Sequence, residues 1–103
     1  MPAAPPTKPT VSRSRGRALS FEPRIAEAFG AIARERRVQR EVAQDAFALA
    51  AGIDRSYYGK LERGERQPSL ALILRIARAL ELPAAELISE TERRLARRKA
   101  RAE

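Results

Sequence analysis

The stretch Gln44-Asp-Ala-Phe-Ala-Leu-Ala-Ala-Gly-Ile-Asp-Arg-Ser-Tyr-Tyr-Gly-Lys-Leu-Glu-Arg-Gly-Glu-Arg-Gln-Pro-Ser69 decides how this chain folds. Gly52 ends one helical segment, because a glycine tolerates the left-handed backbone that closes a helix. Asp54 follows as a side-chain acceptor suited to cap the next helix, Arg55 to Arg63. Gly64 closes that helix in turn. Two short helices therefore meet at the tight turn Gly52-Ile53-Asp54.

Upstream, Pro23 suits the first turn of a helix, where its missing N–H costs nothing. Ile25, Phe29, Ile32 and Ala33 recur at helical spacing behind it. No proline interrupts the chain before Gly52, so the residues alone permit one helix from about 24 to 51. Downstream, Pro68 and Ser69 open another helix, with Leu70, Ile73, Ile76, Ala77 and Leu80 as its inward stripe. Pro83 opens a short helix over 83–89, in which Leu87 and Ile88 are apolar. Ser89 and Glu92 have capping-box spacing for a separate Arg-rich segment to about 102. No stretch alternates with period two, and the class is all-α.

The 103 residues contain no Cys and no His. That excludes disulfides, thiolate nucleophiles, Cys/His metal sites and the usual general base. No nucleophile–base set and no metal-ligand set can be assembled, so an enzyme, a cofactor and a metal are not expected. No run of about 18 apolar residues could span a membrane. The N-terminus lacks the apolar core of a signal peptide, which leads us to expect a cytoplasmic protein.

The net charge of +8 suggests a polyanionic partner, and its distribution matters more than its sum. Residues 1–20 carry four basic side chains, no acid and four of the seven prolines. With almost nothing apolar to bury, they read as a disordered basic arm. Within it, Arg15-Gly16-Arg17 has the centre of an AT-hook without the flanking prolines, and is read as a nonspecific phosphate contact. Residues 90–103 carry six basic and three acidic side chains, whereas 21–89 is nearly balanced. The expected organisation is an arm (1–20), a folded domain (21–89) and a basic C-terminal extension (90–103).

Gln44 with Phe47 and Ala48, Gly52-Ile53, Leu61-Glu62-Arg63-Gly64, Pro68-Ser69 and Ile76-Ala77-Arg78-Ala79-Leu80 occur in order at characteristic separations. In these features the chain resembles the Cro/C1-type (Xre) helix-turn-helix family, over about Phe29 to Ile88. The resemblance implies a compact five-helix bundle whose second and third helices bind DNA. It also divides the long upstream helix into about 24–38 and 43–51. At that joint Glu41 stands where the family usually has Gly, and Ala43 where it usually has a Ser or Thr cap.

Rotation by about 100° per residue along 55–63 puts Tyr58 and Leu61 inside. Ser56, Gly59, Lys60 and Arg63 then face outward, with Arg55 and Tyr57 on the flanks. A cationic, partly side-chain-free face suits the major groove. Arg55, at the projecting N-terminus, Ser56 and Lys60 are the candidate base readers. Gln44, by resemblance, hydrogen-bonds a phosphate. Arg63 and Arg66 flank Gly64 where the loop would meet the DNA backbone. Gly59 is read either as room for close DNA approach or as tolerated drift, and Tyr57 as a phosphate contact or a packing residue. Glu62 is read as structural, because an unpaired carboxylate would repel phosphate.

The expected function is a sequence-specific double-stranded-DNA-binding transcriptional regulator of bacterial or phage type, acting as a homodimer. Leu49 and Leu72, with Leu87, Ile88 and Leu95 on the last helices, are the candidate dimer residues. The alternative is the antitoxin of a toxin–antitoxin module, using the same DNA face and also binding a toxin protein. A nonspecific nucleic-acid binder is a third reading that rests on the tails alone.

Overall fold

The expected helices are present, and one expected boundary, at Ser89, is absent. The computed structural model describes residues 20–102, so the expected arm, with Arg13, Arg15 and Arg17, lies outside the described residues. Five helices follow: α1 (Pro23–Gln39), α2 (Gln44–Ala51), α3 (Arg55–Glu62), α4 (Leu70–Leu80) and α5 (Ala84–Ala102). Phe29, Ile32, Phe47, Tyr58, Leu61, Ile76, Leu80 and Leu87 form one core to which every helix contributes. The Phe47 and Tyr58 rings, 5.3 Å apart between centroids, lock α2 to α3.

The break between α1 and α2 is present despite its weak local signals. Glu41 adopts φ 59°, the left-handed region that the family fills with Gly. Ala43 caps α2 with no side-chain hydrogen bond. Tertiary contacts hold the joint instead. Val42 packs against the core, and its carbonyl accepts a 2.8 Å hydrogen bond from Arg37 Nη1. A single helix over 24–51 would carry Val42 away from both.

The difference from the expected boundaries is in α5. No helix starts at Ser89; Ala84–Ala102 is continuous through the expected boundary. The hydroxyl of Thr91 donates to Leu87 O at 2.8 Å, within the helix rather than at a cap. Ion pairs run along an antiparallel α1/α5 contact: Arg36 with Glu86 and Glu90, Arg94 with Glu35, and Arg98 with Glu27. Exposed pairs contribute only about 0–1 kcal/mol each, so they set register while buried side chains supply most of the cohesion. The Arg-rich extension is thus the second half of a helix that lies along α1.

Four apolar assignments also change. Leu70 is 69% exposed, because it opens α4 before that helix reaches the bundle, and Ile25 is 42% exposed, because it faces an open groove beside Leu95 while its neighbour Ala26 takes the buried face. Leu87 is fully buried and unavailable to a partner, while Leu72 packs partly against the core.

Gly30, in the middle of α1, escapes a reading based on apolar periodicity. A Cβ there would lie 2.4 Å from Leu61 O and 2.7 Å from Glu62 O. Its absence lets α1 cross directly over the end of α3. Two substitutions should therefore act with opposite sign. Gly30→Ala forces the two backbones apart and should cost about 1–3 kcal/mol. Glu41→Gly relieves left-handed strain and should stabilise by up to about 1 kcal/mol. Chemical denaturation of both variants checks the signs.

Candidate nucleic-acid interface

The surface around α3 is built from its two ends. At the N-terminal end Gly52 adopts φ 71°, and the Ile53 N–H donates to Ala48 O at 2.9 Å, which closes α2 and buries Ile53. Arg75 Nη1 donates to Gly52 O at 3.2 Å, tying the turn to α4. Asp54 then caps α3 by accepting from the Tyr57 N–H at 3.1 Å. At the other end Gly64, φ 79°, sits so close to α1 that a Cβ would lie 2.9 Å from Glu27 Cα.

Between these ends Tyr58 and Leu61 are fully buried, as the rotation argument expects, while Arg55, Ser56 and Arg63 are exposed. Lys60 is half-buried, and Tyr57 is half-buried against the rim of the core. Gln44, Arg55, Ser56, Gly59 and Arg63 line one shallow, open hollow. Lys60 and Arg66 are outside its lining. Gly59 is the floor. A Cβ there would stand 3.3 Å from Gln44 Oε1 and 3.4 Å from Arg63 Nη1, so both side chains fold over the glycine.

Beneath the hollow is a buried charge pair. Arg37 donates to Glu62 from Nε at 2.7 Å and from Nη2 at 3.0 Å, and Gln44 Nε2 donates to Glu62 Oε1 at 2.9 Å. Burial disfavours the Glu62 carboxylate, yet its hydrogen bonds, led by those from Arg37, outweigh this and hold its pKa below the ordinary range. The Tyr58 hydroxyl is buried close by without a hydrogen-bond partner among the described residues. Burial and the Glu62 charge raise its pKa, so it stays protonated. Glu62 is structural, as expected. It also fixes the amide of Gln44, leaving the outer edge of that amide facing the hollow.

Two further contacts shape the loop after α3. Glu65 accepts from Arg63 Nε at 2.9 Å, and this pair holds the Glu65 carboxyl below its usual range. Arg66 Nη1 donates to Glu65 O at 3.0 Å. Gln67 accepts from the Glu22 N–H at 2.7 Å and donates to Ser20 O at 3.3 Å, which anchors the start of the described chain to this loop. Sequence reasoning missed Arg37, Glu65 and Gln67. Only Arg37 had a usable signal, since it continues the buried Ala26, Phe29, Gly30, Ala33 stripe of α1 with a charge that must find a partner.

Residues 34–87 match the helix-turn-helix model HTH_3, which is more than half of the chain. The chain belongs to this helix-turn-helix family. It is 33% identical over 58 residues to the control protein C.MunI of Mycoplasma sp, covering 56% of this chain and 78% of that protein. The solved structure of the clp gene regulator ClgR from Corynebacterium glutamicum superposes with a TM-score of 0.71 at 28% identity, covering 76% of this chain and 83% of that one. The restriction-modification controller protein C.AhdI from Aeromonas hydrophila gives 0.59 at 42% identity, covering 60% and 94% respectively. Family membership makes this chain a DNA-binding transcriptional regulator of the Cro/C1 type. Among the described residues no helix is long and apolar enough to cross a membrane, and no cluster of metal-ligating side chains occurs.

The buried pair gives a prediction with a defined sign. Arg37→Met leaves Glu62 buried and unpaired, and should cost about 3–5 kcal/mol near neutral pH. Because the folded pKa of Glu62 is lowered, its stabilisation is complete above the unfolded carboxylate value of about 4.3. That stabilisation is lost as pH falls through the lower folded value. Glu62→Gln should therefore flatten the acid limb of a stability–pH curve below about pH 4.3.

Proposed function

We propose that α3 lies in the major groove of double-stranded DNA and reads sequence from its N-terminal end, while the hollow over Gly59 receives a backbone phosphate. The observation that carries this is the joint lining of the hollow by Gln44, Arg55, Ser56, Gly59 and Arg63, above the buried Arg37–Glu62 pair. Gln44 is held from below by Glu62, so its remaining amide donor is oriented before DNA arrives. Gly59 leaves space for the phosphate, and Arg63 supplies charge-assisted hydrogen bonds. Arg55, exposed and without an ion pair among the described residues, reaches a base edge; Ser56 and Lys60 read beside it. Arg66 and the outer edge of Tyr57 meet the flanking backbone. The chain acts in the cytoplasm by binding rather than by catalysis. No specific observation favours the antitoxin reading.

Two copies pair about a two-fold axis. Ile25, Ile88 and Leu95 line an apolar groove along α1 and α5, and a self-complementary patch of this kind is what a two-fold interface needs. Dimeric mass by sedimentation at micromolar concentration is the expected outcome, with Ile88→Asp shifting the protein towards monomer. A monomer on and off DNA would contradict the pairing.

The reading of α3 is tested by two arginine substitutions that remove the same charge. Arg55→Ala should cost about 1–3 kcal/mol on a selected site and relax preference at one position per half-site. Arg66→Ala should weaken selected and scrambled duplexes by similar factors. If Arg55→Ala leaves the ratio of specific to nonspecific affinity unchanged at one salt concentration, Arg55 does not read a base.

A further inference from the structure

The DNA-facing surface contains an acid that phosphate recognition alone does not explain. Glu65 stands one residue beyond Gly64, exposed, within reach of the charges of Lys60, Arg63 and Arg66. A carboxylate there repels every approaching phosphate and lowers affinity for any DNA. Its geometry is specific nonetheless. Arg63 Nε lies 2.9 Å from Glu65 Oε2 and Arg63 Nη2 lies 3.4 Å from Glu65 Oε1, so the Nε/Nη2 edge of the guanidinium is engaged side-on. The Nη1 end is left over Gly59, beside Gln44 Oε1. Glu65 therefore engages one edge of the Arg63 guanidinium and leaves the other towards the hollow.

We propose that Glu65 is a specificity-determining residue that restrains Arg63, so that the arginine meets a phosphate only when the duplex sits in the register that fills the hollow. This rests on the reading of the hollow as a phosphate seat. An arginine side chain has several rotatable bonds and, when free, can follow a phosphate over several ångströms. Unrestrained, it would contact the backbone equally well in cognate and displaced registers, adding affinity without discrimination. Held by Glu65, it rewards one register, and in every other register the phosphate meets the Glu65 carboxylate. Phosphate contacts carry no sequence information directly, but they fix the position from which base edges are read. A restrained phosphate contact thus converts position into specificity.

The test uses the full chain with a duplex recovered by selection from random-sequence DNA and a scrambled version of it, at one salt concentration. Glu65→Gln should raise affinity for the scrambled duplex more than for the selected one, lowering the specific-to-nonspecific ratio at least about threefold, a modest part of what one good base contact provides. The salt dependence of nonspecific binding should steepen by about one unit of log–log slope, as for one more phosphate neutralised. In an Arg63→Ala background, Glu65→Gln should leave the ratio unchanged, because there is no arginine to release. Equal gains on both duplexes in the wild-type background would overturn the proposal, since they would reduce Glu65 to a repulsive charge. The same ratio change with and without Arg63 would overturn it too. If the unmodified protein shows no preference for the selected duplex, the recognition reading itself fails. Both side chains are exposed, so unchanged thermal unfolding is expected for each variant and separates these effects from misfolding.

Discussion

The hydrogen-bonded pair between Arg37 and Glu62 is the constraint on which the rest of the molecule depends. It joins the end of α1 to the end of α3, and through Gln44 it reaches the start of α2. A lone buried charge is unstable in a low-dielectric interior, so each member requires the other. A third donor of Arg37, on Nη1, goes to the Val42 carbonyl and holds the bend between α1 and α2. One ion pair thereby ties three helices together, closes a joint that lacks its usual glycine and cap, and orients the Gln44 amide at the edge of the hollow.

Close backbone approach makes that arrangement rigid. Gly30 lets α1 rest on the last carbonyls of α3, and Gly64 lets the following loop rest on Glu27. The surface around α3 is therefore supported from behind by close main-chain contact as well as by long side chains. The turn at Gly52 is similarly held by Arg75 from α4. A surface that must match the spacing of phosphates and base edges benefits from such support, because small displacements weaken several hydrogen bonds together.

Charge is distributed with comparable economy. Arg94 and Arg98, which contribute to the basic excess of the C-terminal region, are paired with Glu35 and Glu27 of α1. They hold α5 in register along α1 and are not wholly free to neutralise phosphate. Around α3 the pattern is mixed. Arg55 has no acidic partner among the described residues, whereas Arg63 is held by Glu65. Two arginines on one face thus differ in freedom, and so in how each can respond to a duplex.

The break before the second helix was legible only through the family resemblance; the all-α class, the third helix, the Asp54 and Ser69 caps and the burial of Tyr58 and Leu61 were legible in the residues themselves. They follow from local rules: glycines and capping residues mark ends, and apolar spacing marks the inner face. Those same rules misplaced Leu70, because periodicity cannot tell where along its length a helix meets its neighbours, and Ile25, because an apolar side chain can also face an open groove. They also divided α5 at Ser89, where contacts with α1 keep the helix continuous. Of the candidate site, the outward placement of Arg55, Ser56 and Arg63 was readable from rotation alone. That Gln44 leans over Gly59, that Arg37 stands behind Glu62 and that Glu65 turns Arg63 were not readable. These contacts join residues far apart in sequence, or exposed side chains with many rotamers, and no one-dimensional pattern encodes them. The sequence by itself determined the all-α class, the turn between the second and third helices and the inner face of the third. Only the tertiary structure decided which charges meet, because pairing depends on distance in three dimensions and on burial that only the packed helices create.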